Sequence, residues 1–143
     1  MSFVLDASVT LLWFAPQTNS QGVGYAQRVL IAMKTGQAMV PGIWGLEVAN
    51  VIARLQSRAV VTEAETQRFL GLLSRLDIAP DPATAIHALG QTLDLARRYK
   101  LSAYDAAYLQ LALRTGLPLA TLDNELGRAA NHAGVKVFAG NPV

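Results

Sequence analysis

FVLDASVTLLWFAP, residues 3–16, sets the rhythm that decides the fold. FVL is a short, β-prone apolar run that stops at Asp6. Ser8 then stands where it can cap the apolar segment 9–15, and Pro16 stops that segment. The same succession continues down the chain. AMV (38–40) before Pro41, IAP (78–80), LPLAT (117–121) and VKVF (135–138) read as further short strands. Helical patterns lie between them: 25–36 ending at Gly36, 43–58, 62–76, 82–100 with Pro82 in its first turn, 101–115 closed by Gly116, and 123–132. Thr62 and Glu65 have the spacing of a capping box, and QTNSQG (17–22) reads as a loop. Short strands alternating with helices or helix pairs predict an α/β sandwich around a mostly parallel sheet. No linker, repeat or low-complexity segment interrupts residues 1–143, so one domain is expected.

Composition narrows the class. Hydrophobic residues make up 52% of the 143 and charged residues 15%, against roughly 25% charged in ordinary soluble domains. Such a surface is short of charge and is expected to bury part of itself against a partner. The apolar segment LLWFA (11–15) is the natural candidate, and a two-fold homodimer the commonest arrangement. No uninterrupted apolar run reaches the roughly 18 residues that would span a bilayer. The N-terminus has no basic stretch and carries Asp6 within its apolar run, so it does not read as a signal peptide, and the cytoplasm is the expected location. There are no cysteines, which excludes disulfides, thiolate catalysis and cysteine-built zinc sites. The formal net charge is +2. Gathering four of the acids into one pocket would leave the rest of the surface distinctly basic, as a polyanion-cleaving enzyme requires.

Four acids point to such a gathering. Asp6 follows the first strand and Asp123 the fourth, and ligands of parallel sheets sit beyond the carboxyl ends of strands. Glu47 lies mid-helix among Ile, Leu and Val, with Asn50 and Arg54 at i+3 and i+7 on the same stripe. Asp105 interrupts LSAYDAAYLQLAL (101–113), a stretch that otherwise reads as buried helix, with Ser102 three residues before it as a possible N-cap. The other six acids have local explanations. Glu63, Glu65 and Glu125 suit helix first turns, Asp77 and Asp81 flank a short strand in turn settings, and Asp94 is spaced to pair with Arg98.

Carboxylates packed together repel and raise one another's pKa, and a divalent cation removes that cost. All-oxygen ligation favours Mg²⁺ or Mn²⁺. Mg²⁺ takes one or two carboxylates directly and keeps several waters for the others to hold. His87 and His132 lie far apart without a ligand motif and read as ordinary helix or surface residues. Bound at this pocket, such a cation would activate water for hydrolysis of a phosphodiester.

Four blocks then carry a resemblance: VLDASV with Asp6, P-x-I-W-x-x-E-V-x-N with Glu47 and Asn50, LSAYDAAYLQLA with Asp105, and LATLDNEL with Asp123. In this order they resemble the acidic blocks of PIN domains, and the size and the YDAAYLQLA block most resemble VapC-like toxins of VapBC toxin–antitoxin pairs. The resemblance implies a three-layer sandwich, a short sheet flanked by helices, and a Mg²⁺- or Mn²⁺-dependent endoribonuclease. It implies Asp6, Glu47, Asp105 and Asp123 as the catalytic set. Asp6, Asp105 and Asp123 form the metal set, Asp6 and Asp105 as direct ligands and Asp123, like Glu47, able to act through water. Ser8 and Thr121 match small hydroxyl positions that steady the carboxylates, with Asn50 in support. It further implies an RNA substrate, a homodimer, and inhibition by a VapB-like antitoxin whose C-terminal segment covers the groove. Arg54, Arg97, Arg98 and Lys100 are candidates for holding the RNA backbone. Two other readings stay open on the residues alone: a phosphatase or phosphotransferase using Asp6 as nucleophile, and a non-catalytic binding module whose acids are caps and turns.

Overall fold

A computed structural model describes residues 1–140. Four strands, β1 (Ser2–Leu5), β2 (Gln37–Val40), β3 (Ile78–Pro80) and β4 (Leu119–Ala120), form one sheet in the order β3-β2-β1-β4. Every pairing is parallel, with Phe3 opposite Ala38, Val4 opposite Leu119, and Met39 opposite Ala79. The mostly parallel sheet expected from sequence is thus wholly parallel, and β1 is central to it.

Alternation along the strands divides the core between two faces. Phe3 and Leu5 point to one side, where they pack with Val9 and Leu12 of α1 (Ala7–Phe14) and with Ala26, Val29 and Ala32 of α2 (Val23–Ala32). Val4 and Leu119 point to the other side, against Tyr108, Leu109 and Leu111 of α7 (Ala103–Thr115) and Leu126 and Ala130 of α8 (Asn124–His132). Each of the fully buried Phe, Leu and Val side chains is worth about 1.5–3 kcal/mol relative to exposure. A third cluster, Ala7, Val48, Ile52 and Phe69, fastens the pair α3 (Trp44–Ser57) and α4 (Glu63–Ser74) to α1. Helices therefore cover both faces of the short sheet.

Local chemistry sets the ends of several elements. The Thr62 hydroxyl accepts from the Glu65 amide at 3.1 Å, while Glu65 accepts from the Thr62 amide at 3.1 Å, so the capping box is complete. Gly36 follows α2 where a Cβ would come within 2.8 Å of the Ala32 carbonyl oxygen, so the chain can turn into β2 only with glycine there. Gly116 closes α7 with φ of 72°.

Other local expectations are corrected. Ser8 does not cap α1; the helix starts at Ala7 with Asp6 as its N-cap, and Ser8 turns back toward the Asp6 side chain. The loop 17–22 holds two short 3-10 turns, Pro16–Thr18 and Ser20–Gly22. The helix expected over 82–100 is broken into α5 (Thr84–His87), a π-turn (Ala88–Thr92) and α6 (Leu93–Tyr99). LPLAT contributes only two strand residues, and VKVF contributes a single bridge between Val137 and Leu119. Asp94 pairs with Arg97 at 3.7 Å, not with Arg98. Asp81 is no simple turn residue: it is buried, ion-paired to Arg114 of α7, and accepts from the Ala83 amide at 3.1 Å. LLWFA is mostly packed within the fold. Trp13 donates to the Ala26 carbonyl at 2.8 Å, and Phe14 stacks on Phe69 with ring centroids 4.7 Å apart. The large exposed apolar side chains lie elsewhere, among them Leu46 on α3, Ile86 and Leu89 around the π-turn, and Tyr104 and Leu113 on α7. No helix among the described residues is long and apolar enough to cross a membrane.

Candidate active site

β1 is the central strand next to β4, so Asp6 leaves the sheet where two parallel strands end together. Its backbone amide continues the ladder by donating to the Ala120 carbonyl at 2.9 Å. Asp6 is 5% exposed, and its carboxylate accepts twice on one oxygen, Oδ2: from Ser8 Oγ at 2.6 Å and from Thr121 Oγ1 at 2.8 Å. No hydrogen bond among the described residues reaches the other oxygen, Oδ1. The two hydroxyls are themselves held, Ser8 Oγ accepting from the Leu122 amide at 3.0 Å and Thr121 Oγ1 from the Asp123 amide at 3.0 Å. One small network thereby joins the end of β1 to the turn after β4.

The other acids arrive from three helices. Asp123 is the N-cap of α8, its Oδ1 accepting from the Leu126 amide at 3.0 Å. Asp105 sits in the first turn of α7, where Ser102 accepts from the Asp105 amide at 3.1 Å; only this half of the expected capping box is formed. Glu47 sits in the first turn of α3, half-buried, and its Oε1 accepts from the Tyr108 hydroxyl at 2.6 Å.

Electrostatics connects them. Burial, opposed by the two hydroxyl bonds and reinforced by the charges of Glu47 and Asp123, pushes Asp6 up to about 6. Burial, then the charges of Asp123 and Asp6, pushes Asp105 up to about 6, with Glu125 adding to the rise. Glu47 is raised by burial and by Asp105, against the lowering effect of the Tyr108 hydrogen bond. The four acids singled out in the sequence thus share one patch, where they strain against one another with no basic side chain to balance them in these shifts. No three acids or histidines among the described residues stand ready to enclose an ion.

The remaining candidates divide. Ser8 and Thr121 touch Asp6 as described. Asn50 and Arg54 are exposed on α3 beyond Glu47. Arg97 is tied to Asp94, and Arg98 lines a separate cavity of about 410 Å³ with His87, Gln91 and Arg114, which none of the four acids lines. Lys100, in a left-handed turn with φ of 55°, shares a surface hollow with Glu125, Arg128 and His132. Sequence reasoning passed over Tyr108, and it placed Glu125 in a helix first turn, where it stands, without seeing that it bears on Asp105. For Tyr108 the available signal was its position, three residues after Asp105 and hence on nearly the same helix face.

A PIN-domain family model matches residues 3–132. The chain belongs to the PIN-domain family. Ribonuclease VapC3 of Pyrobaculum aerophilum is 28% identical over 126 residues, covering 88% of this chain and 92% of that protein. The fold is that of solved structures. PAE2754 from Pyrobaculum aerophilum matches with a TM-score of 0.62 and 21% identity, over 90% of this chain and 87% of that one. VapBC2 from Rickettsia felis, solved bound to a DNA fragment from its promoter, matches with a TM-score of 0.58 and 17% identity, over 96% of this chain and 98% of that one. This PIN domain is therefore similar in sequence to a VapC ribonuclease and in fold to a VapBC protein.

Proposed function

We propose that this PIN domain is a divalent-metal-dependent endoribonuclease acting as the toxin of a toxin–antitoxin pair. The observation that carries the proposal is the Asp6 carboxylate: buried, fixed through Oδ2 by Ser8 and Thr121, open at Oδ1, and crowded by Glu47 and Asp123. The likeness to Ribonuclease VapC3 supports the substrate class, and the likeness to VapBC2 supports the toxin role.

The donor set is all carboxylate, as Mg²⁺ or Mn²⁺ prefers, and its mutual repulsion is relieved by binding a cation. Asp6, Asp105 and Asp123 would hold the ion, with Glu47 beside them to accept a proton or hold a water. The ion would supply charge neutralisation at the phosphate and a more acidic water. The chain's own part is positioning. Ser8 and Thr121 fix the Asp6 oxygen that faces them, the α7 and α8 N-termini fix Asp105 and Asp123, and the Tyr108 contact fixes Glu47. Lys100, with Arg128 and His132 near Glu125, is the basic group best placed beside these acids to hold an RNA backbone; Arg54 flanks Glu47 from α3. Arg97 and Arg98 belong to the surface around Asp94 and contribute less.

A cognate antitoxin has an apolar seat in the groove of about 720 Å³ between α3 and α4, lined by Trp44, Val48, Ile52, Leu70 and Leu73. Glu47 lies on the same helix α3, so a segment seated there reaches the acids within a turn or two. A homodimer and a cytoplasmic location complete this reading.

The test is direct. The purified protein should cleave RNA with Mg²⁺ or Mn²⁺ and stop when the metal is chelated. Asp105→Asn should abolish cleavage without changing the circular dichroism spectrum. Cleavage that survives both chelation and Asp105→Asn would refute the assignment.

A further inference from the structure

Tyr108 is a large polar side chain in the wrong company. It is 0% exposed and packs in the apolar cluster with Val4, Leu109, Leu111 and Leu119. A buried phenol needs a partner for its hydroxyl. Here the partner is no backbone carbonyl but Oε1 of Glu47, at 2.6 Å and 61 residues away in sequence. The Ala7 amide, at the start of α1, faces the same phenolic oxygen, and Asp6 is close enough to bear on it electrostatically. The hydroxyl thus stands where α1, α3 and α7 meet beneath the acidic patch.

A half-buried glutamate has three rotatable bonds and, without a fixed partner, several positions to occupy. The Tyr108 ring has almost none, because the core holds it on every side. Its hydroxyl therefore gives Glu47 one fixed oxygen and leaves the other directed by default. We infer that Tyr108 is a positioning residue, a buried post that holds the Glu47 carboxylate toward Asp6 and Asp105. The inference rests on the nuclease reading of the site and deepens it.

Two measurements test the post. In the metal-free protein, the Tyr108 hydroxyl proton should give a slowly exchanging, downfield resonance, absent in Tyr108→Phe and shifted or lost in Glu47→Ala. No such resonance in the wild type overturns the inference, whatever the protein's activity. In RNA cleavage with Mn²⁺, Tyr108→Phe, which removes a single oxygen, should lower kcat about tenfold or more with little change in KM. The same substitution should cost nothing further in a Glu47→Gln background, because both act through one carboxylate. Full activity in Tyr108→Phe overturns the inference, as does an undiminished loss in the Glu47→Gln background, which marks a general packing effect. Wild-type protein that cleaves no RNA overturns the nuclease reading and with it the catalytic purpose of the post; the proton resonance identifies that case, because it still reports the contact.

Discussion

Thr121 Oγ1 donates to Asp6 Oδ2 at 2.8 Å while accepting from the Asp123 amide at 3.0 Å. One hydroxyl thus orients two of the acids. Thr121→Val keeps the shape and β-propensity but removes both bonds. A hydrogen bond to a charged group contributes about 1.5–3 kcal/mol, so Mn²⁺ affinity should fall about tenfold or more. Calorimetric titration measures it, and unchanged affinity would separate Thr121 from the site.

The metal-free protein should lose stability as pH rises. Asp6 and Asp105 each stand at about 6 in the folded chain against 3.8 for the free side chain. The folded state therefore binds these protons more tightly than the unfolded one. That stabilisation is fully present below about pH 4 and is lost as pH passes through about 6. For buried Asp6 the shift corresponds to on the order of 3 kcal/mol. Melting temperatures with chelator present should fall across this window, and Asp6→Asn should flatten the fall. A wild-type profile that rises with pH over the same range contradicts the assigned shifts.

Glu47 should matter more to turnover than to ion binding, because it sits on a helix with one oxygen engaged by Tyr108 while Asp6 leaves Oδ1 open at the strand ends. Glu47→Gln and Asp6→Asn should both stop most RNA cleavage, yet only Asp6→Asn should sharply weaken Mn²⁺ binding. Equal losses of affinity would place Glu47 among the direct ligands.

Arg114→Ala should destabilise the fold without touching the acids. It strands the buried Asp81 carboxylate, and removing one partner of a buried pair costs about 3–5 kcal/mol. The Arg114 side chain is 29% exposed and Asp81 keeps its bond from the Ala83 amide, so about 2–3 kcal/mol is expected. Urea denaturation measures it. Asp81→Asn with Arg114→Met together should recover part of the loss.

Local patterns in the chain carried most of the architecture and the four acids. Asp6, Glu47, Asp105 and Asp123 could be singled out because each broke an apolar or strand-end pattern that needs no carboxylate. What escaped was determined at long range. Asp81 has an ordinary turn neighbourhood, and nothing near it announces a partner 33 residues on. Tyr108 looks like one more large core residue until α3 is laid across it. VKVF has the composition of a strand but bridges only Leu119 in the sheet, since it runs past the two-residue β4 at the margin of the sheet. Ser8 has the chemistry of a cap, yet the bond it makes is to the acid before it, because the helix had already begun.

The pairing of β1 with β4 has a consequence for the time at which the acids meet. Asp6 precedes Thr121 and Asp123 by more than a hundred residues in the chain. Contacts of such wide sequence separation close late in folding. Up to the end of β3 the chain holds three of its four strands but only Asp6 and Glu47 of the four acids. A chain interrupted before residue 119 carries Asp6 beside an open strand edge, with no Thr121 to orient it.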